Sequence, residues 1–133
     1  MTIPRAAVLD SQLDRLCEIP GIVHAAAVSS DGMLIARSRG LARDSADQIA
    51  AFTSGLEAIT RGMATLMQAG SVEHTSVEMG SGRVVVMAIS DGSILTVLAA
   101  ADADMGQVAY EMALLTNAVG AALTPELRTP QQV

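Results

Sequence analysis

Serine and aspartate side chains that could carry out chemistry occur together twice in the chain, each time between two apolar runs. The two segments are VSSDGMLIA (residues 28–36) and AISDGSILTVLAA (88–100). A serine becomes a nucleophile when a positioned base takes its proton, yet the chain has only two histidines and no G-x-S-x-G motif. We therefore predict that Ser30 and Ser90 are not catalytic.

The Asp-Gly pairs in these segments are instead typical of hairpin turns. Asp31-Gly32 and Asp91-Gly92 each separate two β-prone runs. A type I′ turn needs a positive φ at both central residues, which glycine adopts freely and aspartate tolerates. The sequence therefore predicts two antiparallel hairpins closed by type I′ turns.

Metal and phosphate sites are not indicated by the remaining polar residues. His24 and His74 have no H-x-x-x-H or H-E-x-x-H spacing, and Cys17 is the single cysteine, which favours a structural thiol. The Gly80-Ser81-Gly82 segment lacks the Lys-Ser/Thr of a phosphate-binding loop. We expect no metal and no cofactor, and we expect His24 to be a hydrogen-bonded strand residue.

The composition argues against nucleic acids and membranes as partners. A net charge of -6 and a pI near 4.6 oppose phosphate binding, and an aromatic content of 2% leaves few platforms for base stacking. No stretch approaches the roughly 18 apolar residues that span a bilayer, and residues 1–14 lack the apolar region of a signal peptide. We expect a cytoplasmic protein without direct membrane insertion.

The order of apolar patterns predicts an α+β fold with the order α-β-β-α-β-β-β-α. One domain is expected over residues 6–124, between a disordered tail at 1–5 and a flexible tail at 125–133. Several strands are apolar on both faces, so each face of the sheet needs a cover. We predict a three-layer α/β/α sandwich with a five-stranded, mainly antiparallel sheet, the first and last helices on one face and the long helix on the other. The predicted elements are helix Ala6–Glu18, strands Val23–Ser29 and Met33–Ser38, a long helix from Asp44 or Ser45 to Gln68, strands Val72–Met79, Arg83–Ser90 and Ile94–Ala101, and a last helix from Asp104 to Leu123.

Helix caps are predicted from short polar side chains. Asp44 or Ser45 is expected to cap the long helix, because such a side chain accepts one of the free N–H groups of the first turn. Asp104 and Gln107 have the spacing of a capping box at the last helix.

The long helix carries two further stripes beside its polar residues. The first is a heptad-like apolar seam, and the second consists of small residues that would let another backbone approach closely. Either both stripes cover the chain's own sheet, or one of them covers the sheet while the other meets the same helix of a second subunit. The seam is Ile49, Phe52, Leu56, Ile59, Met63 and Leu66, and the small stripe is Ala51, Gly55, Ala58, Gly62 and Ala69.

The strand predicted at Val72–Met79 favours the second interpretation. It is half polar and lacks the Lys or Pro that protects an exposed edge, so it could pair with its own copy in an isologous dimer. The predicted dimer interface is Ile49, Phe52, Gly55, Leu56, Ile59, Gly62, Met63, His74, Thr75 and Ser76.

Three segments resemble the roadblock/dynein light chain family, most closely its bacterial members of the actinomycete conservon type. They are IPGIVHAAAVSSDGMLIA (Ile19–Ala36), SGLEAI (Ser54–Ile59) and LAAADADMGQVAYEMALL (Leu98–Leu115). The resemblance implies a homodimer with a ten-stranded sheet and paired long helices, which binds a Ras-like small GTPase and has no catalytic residues of its own. The partner surface that the resemblance implies comprises exposed residues along the long helix, namely Asp47, Ser54, Glu57 and Arg61.

Three functions remain open from the sequence. The first is a non-enzymatic dimeric regulator of a small GTPase, and the others are a small-molecule sensor of the same architecture and a purely structural scaffold. An apolar cavity above about 300 Å³ would favour the sensor.

Overall fold

A computed structural model describes residues 5–89 and 91–123 of the 133-residue chain. The tails predicted at 1–5 and 125–133 lie outside the described residues except for Arg5, and Ser90 is also outside them. The predicted order of elements is confirmed. The elements are α1 (Arg5–Leu16), β1 (Ile22–Val28), β2 (Leu34–Arg37), α2 (Arg43–Met67), β3 (Thr75–Met79), β4 (Gly82–Ala88), β5 (Ile94–Ala99) and α3 (Met105–Leu123).

The five strands form one sheet in the order β2-β1-β5-β4-β3, and every neighbouring pair is antiparallel. The central strands β1 and β5 pair from Ile22 and Ala99 to Val28 and Ile94. They are apolar on both faces because helices cover both. The predicted α+β sandwich is therefore confirmed, with β2 and β3 at its two edges.

The main core lies between the sheet and the helices α1 and α3. Leu9, Leu13 and Leu16 recur at helical spacing on α1 and are buried against the sheet. From α3, Val108 and Met112 are fully buried in the same cluster. Large aliphatic side chains thus fill this side of the sheet, which holds α1 and α3 in place.

The Asp-Gly hairpins are present, but their turns differ from the predicted type. The N–H of Gly32 donates to the Ser29 carbonyl at 3.0 Å, and the N–H of Ser29 donates to the Met33 carbonyl at 2.8 Å. Gly32 has a φ of 90°, whereas Asp31 is not among the residues with positive φ. The loop is therefore a type I turn followed by a glycine bulge, which places only glycine in the left-handed region.

The second hairpin repeats this arrangement. The N–H of Gly92 donates to the Ile89 carbonyl at 3.0 Å, and the N–H of Ile89 donates to the Ser93 carbonyl at 2.8 Å. The Asp91 carboxylate accepts from both the N–H and the hydroxyl of Ser93. The type I′ prediction is wrong at both turns, because Gly32 and Gly92 take a positive φ whereas Asp31 and Asp91 do not.

The start of α2 also differs from the prediction. The residue at the N-cap is Ala42, and no side chain caps it. Asp44 instead lies in the first turn, where its negative charge interacts favourably with the helix dipole. The helix ends with Gln68 in the left-handed conformation, where the N–H of Ala69 donates to the Ala64 carbonyl.

The cap predicted for α3 is confirmed in its main contact. The Asp104 carboxylate accepts a hydrogen bond from the N–H of Gln107 at 3.2 Å. This contact satisfies one of the free N–H groups of the first turn.

Cys17 lies half-buried at the end of α1. Burial raises the pKa of the Cys17 thiol above its ordinary value, and the negative charge of Asp14 raises this pKa further, whereas a hydrogen bond with the Ser38 side chain lowers it. A raised pKa keeps the side chain in its unreactive thiol form.

Among the helices within residues 5–89 and 91–123, none is both long and apolar enough to cross a bilayer. The cytoplasmic location expected from the sequence stays a prediction.

Replacing the α3 cap is expected to destabilise the protein. Asp104→Ala removes the acceptor for the Gln107 N–H, so the free energy of unfolding should fall by about 1 kcal/mol. Urea titration at one fixed protein concentration measures this loss. Asp102→Ala is the control, because Asp102 is exposed and precedes the helix; an equal loss in both variants would contradict the cap.

Candidate interaction surface

Helix α2 packs on its own sheet through a narrow strip of small side chains. Ala46, Ala50 and Thr53 are its buried residues, and they recur at steps of four and three. The helix contacts β1, β2 and β5. Small side chains let the helix axis lie close to the strands, so little of the helix circumference is covered.

The large apolar residues of α2 are exposed on one flank of this strip. Phe52 is 72% exposed, Ile59 64% and Leu66 85%. Met63 and Met67 are exposed as well, whereas Ile49 and Leu56, which start the flank nearest the sheet, are partly buried. We call these seven residues the apolar flank of α2. Isolated exposed apolar residues are common, but a contiguous group of this size marks an interaction surface.

A groove runs between the apolar flank and the part of the sheet that α2 leaves uncovered. Its volume is about 170 Å³. Its lining is almost entirely apolar and comes from α2 and from strands β3, β4 and β5. The lining residues are Ile49, Phe52, Thr53, Leu56, Val77, Met79, Val84, Val86, Thr96 and Leu98.

One polar atom beside this groove lacks a partner. The hydroxyl oxygen of Thr96 is buried and has no hydrogen-bond partner among the described residues. Thr96 is fully buried on β5, opposite Ala26 of β1. Burying a hydroxyl without a hydrogen bond lowers the stability of the fold, and no described residue provides a hydrogen bond to this one.

Strand β3 continues the groove to the open edge of the sheet. It pairs with β4 in unbroken register from Thr75 opposite Val86 to Met79 opposite Gly82. All of its residues except Thr75 are exposed. No strand of the described residues pairs with its other side, and β3 contains no lysine, proline or bulge. Such an edge can accept another strand.

The predicted interface residues before this strand are displaced from it. β3 begins at Thr75, three residues later than predicted, and His74 therefore precedes the strand. Thr75 and Ser76 do lie on the edge strand, and Ser76 is exposed. The prediction began the strand at Val72 because a β-branched residue favours strands, but residues 72–74 precede the strand in the structure.

The small stripe of α2 lies away from the sheet. Gly55 and Gly62 are exposed. A Cβ atom added to either glycine would have no described atom within 4 Å, apart from the neighbouring backbone of α2 itself. The interpretation in which both stripes cover the chain's own sheet is therefore wrong. The alternative, in which one stripe covers the sheet, is wrong on that point too, because most of the apolar seam is also exposed. The strip that covers the sheet is a third one, formed by Ala46, Ala50 and Thr53.

The implied partner residues occupy the other flank of α2. The Asp47 carboxylate pairs with Arg43 at 3.2 Å, and the Arg61 guanidinium pairs with Glu57 at 3.0 Å. Asp47 and Arg61 are exposed, but only 19% of the Glu57 side chain is. Ser54 is half-buried, and its hydroxyl faces Gly32 in the β1–β2 turn. The exposure expected for Glu57 and Ser54 is therefore wrong. Glu57 lies toward the chain's own sheet, and Ser54 faces the β1–β2 turn.

Other candidate chemistry is sparse. Across residues 5–89 and 91–123, no group of three His, Cys, Asp or Glu side chains is arranged to hold a metal ion. His24 is a residue of β1, but its Nδ1 is buried without a hydrogen-bond partner among those residues. The expectation of a satisfied histidine is therefore wrong at this atom.

The chain belongs to the Roadblock/LC7 domain family. The family model matches residues 8–99, which covers most of the chain. The crystal structure of a Roadblock/LC7 domain from Streptomyces avermitilis is similar, with a TM-score of 0.82 and 34% sequence identity over 86% of this chain and 96% of that one. The predicted family resemblance is thereby confirmed.

More distant solved structures share the fold. Myxococcus xanthus MglB matches with a TM-score of 0.81 and 16% identity, covering 87% of this chain and 94% of that one. A structure described as MglB with tetrameric arrangement matches with a TM-score of 0.80 and 15% identity, covering 90% of each chain. No curated protein matches the sequence at a significant level.

Several residues of the surface were missed by sequence reasoning. Val77 and Met79 of β3 line the groove, as do Val84 and Leu98 of its neighbours. Their alternation within each strand was visible, but it does not tell which half of a sheet face a helix leaves uncovered. That depends on where α2 crosses the sheet, which is a property of the packed fold.

The orphaned hydroxyl gives a stability prediction. Thr96→Val removes a buried polar group that lacks a partner, so the free energy of unfolding should stay unchanged or rise by up to about 1 kcal/mol. Thr116→Val is the matched control, because that hydroxyl donates to the Ala113 carbonyl at 3.0 Å. Its loss should cost about 1 kcal/mol in urea titrations. A clear loss in Thr96→Val would indicate that its hydroxyl is paired in solution.

Proposed function

We propose that this protein is a non-enzymatic homodimer that binds a Ras-like small GTPase and acts as its regulator or scaffold. The observation that carries the dimer is the position of the apolar flank of α2. It lies beside an uncovered half of the sheet, so its large side chains have no cover within the described chain. A second copy that presents the same surface would supply that cover.

The free energy available from this surface is sufficient for association. Complete burial of a Leu, Ile, Met or Phe side chain contributes about 1.5–3 kcal/mol. If association buries half of each side chain, each contributes half of this free energy. Seven side chains from each of two copies then give about 10–20 kcal/mol, against an association cost of about 4–15 kcal/mol.

The edge strand supports the same arrangement. β3 adjoins the groove and presents unpaired backbone groups on its outer side. Pairing of two β3 strands about a two-fold axis would join two five-stranded sheets into one of ten strands. It would also bring the two apolar flanks together over the joined sheet. Gly55 and Gly62 leave the backbone of α2 accessible to a neighbouring helix.

The GTPase partner is supported by the family and by the flank of α2 that carries Asp47 and Arg61, which we call the polar flank. The family resemblance implies a Ras-like partner. After pairing through the apolar flank, Asp47 and Arg61 would remain exposed on the other side of α2. Such charges contribute to the rate and specificity of association.

A small-molecule sensor would need an apolar cavity above about 300 Å³, and neither the groove beside α2 nor the hollow between α1 and α3 is one. The apolar groove of about 170 Å³ is below the usual size of a small-molecule pocket. A hollow of about 340 Å³ lies between α1 and α3, but it is lined by charged side chains such as Arg15 and Glu111 as well as apolar ones. The regulator or scaffold is therefore preferred.

The dimer can be tested by placing a charge on the apolar flank. Ile59→Glu would bury a carboxylate in the proposed interface, so the dissociation constant of the dimer should rise roughly 100-fold or more. Thr65→Glu is the control, because Thr65 is exposed on another side of the same helix. Sedimentation velocity should find a monomer for Ile59→Glu and a dimer for Thr65→Glu. Two dimers, or two monomers, would contradict the proposed interface.

The partner surface can be tested by charge reversal on the polar flank. Asp47→Lys and Arg61→Glu should each weaken binding to the Ras-like GTPases of the source organism by roughly tenfold. The binding constant is measured by calorimetry with the GTPase in its GDP-bound and GTP-analogue-bound forms. The charge-matched controls are Glu111→Lys and Arg15→Glu, on the helices of the other sheet face. Equal weakening by the controls, or no binding by the unaltered protein, would overturn this surface.

A further inference from the structure

The two edges of the sheet differ in how their backbone groups are satisfied. β3 presents its outer side without a partner strand. β2, at the opposite edge, lies beside α1, and two carboxylates of that helix reach its outer side. The difference concerns N–H groups, which are the donors that an added strand would use.

The two contacts involve one backbone N–H group at the end of β2 and one just after the strand. The N–H of Ser38 donates inward to the Ala25 carbonyl of β1 at 2.8 Å. The neighbouring residues Arg37 and Arg39 therefore point their N–H groups outward. The Arg37 N–H donates to the Asp10 carboxylate at 3.1 Å, and the Arg39 N–H donates to the Asp14 carboxylate at 2.7 Å.

The spacing of the two aspartates matches the strand. Asp10 and Asp14 are four residues apart and so lie on one side of α1, about 6 Å apart along its axis. Residues two apart on a strand are separated by a similar distance of about 6–7 Å. Leu9, Leu13 and Leu16 fix the helix in the core, so both carboxylates are held in register with alternate N–H groups.

Helix α1 lies against β2, and charged side chains of both surround an open hollow in front of this edge. An open hollow of about 330 Å³ is lined by Asp10, Asp14, Arg37 and Arg39. The Arg39 guanidinium also pairs with the Asp14 carboxylate at 3.5 Å, and the Arg39 side chain is 90% exposed. Charged side chains at a strand edge oppose the approach of another strand.

We propose that Asp10 and Asp14 close the β2 edge of the sheet, so that β3 is the edge at which a strand from a second copy can be added. This inference rests on the proposed homodimer and adds to it a reason why assembly ends at two chains. With one edge closed in each copy, pairing of two β3 strands leaves β2 at both ends of the joined sheet. Sheet growth then stops, because an isologous pair has used its open edges.

The test is removal of both carboxylates from the full chain. Asp10→Ala/Asp14→Ala exposes the Arg37 and Arg39 N–H groups, and sedimentation velocity should find species larger than a dimer that increase with protein concentration. Native amide hydrogen exchange of Arg37 and Arg39 should become at least tenfold faster. Circular dichroism establishes that the variant is folded.

Two control variants separate hydrogen bonding from charge. Asp10→Asn/Asp14→Asn keeps an oxygen acceptor at both positions and should remain dimeric, with exchange close to that of the unaltered protein. Glu18→Ala/Asp102→Ala removes two exposed acidic groups elsewhere and should also remain dimeric. Larger species in these controls would attribute the effect to net charge and would overturn the proposal.

The outcomes distinguish this inference from the homodimer itself. If the unaltered protein is a dimer and the double alanine variant stays a dimer, whatever its exchange rates, edge closure is wrong and the homodimer stands. If the unaltered protein is a monomer, the homodimer is wrong. Edge closure then still predicts that the double alanine variant associates through β2, and a monomeric variant would refute it.

Discussion

The close packing of α2 on the sheet is the constraint on which the rest of the surface depends. Ala46, Ala50 and Thr53 bring the helix near the strands, and only a narrow strip of its circumference can then be covered. Larger residues on this strip would lift the helix and widen the covered zone. The bulky side chains of the apolar flank are consequently left beside the helix, over strands that it does not reach. An exposed apolar surface thus results from the tightness of the packing within the chain.

The two faces of the sheet differ in role, since one carries the main core and the other carries the exposed apolar surface. On one face, α1 and α3 bury large aliphatic residues and form the main core. On the other face, the smaller cluster around Ala26, Leu41 and Ala46 anchors one end of α2. The two edges of the sheet also differ. Carboxylates of α1 accept hydrogen bonds from backbone N–H groups at the β2 edge, whereas no described strand pairs with the outer side of β3. The core helices therefore leave one continuous exposed surface, from the apolar flank of α2 to β3.

Much of this fold could be predicted from the sequence, because it is encoded by local patterns. Apolar periodicity located all eight elements, and the Asp104 cap followed from its spacing to Gln107. Turn type was not predictable from Asp-Gly alone, since two- and three-residue loops share that pair. The sheet-facing strip of α2 was also missed, because alanines and a threonine carry a weak hydrophobic signal. Contacts between distant segments, such as Asp10 with Arg37, have no local pattern at all.

In the proposed dimer, a second copy of the chain covers the apolar flank of α2 and the β3 edge. Sedimentation equilibrium of the unaltered protein, from below one micromolar to tens of micromolar, distinguishes this dimer from a monomer. We expect the mass at the upper end to be twice the chain mass of 13.7 kDa and not to rise further. A mass of 13.7 kDa throughout this range would contradict it.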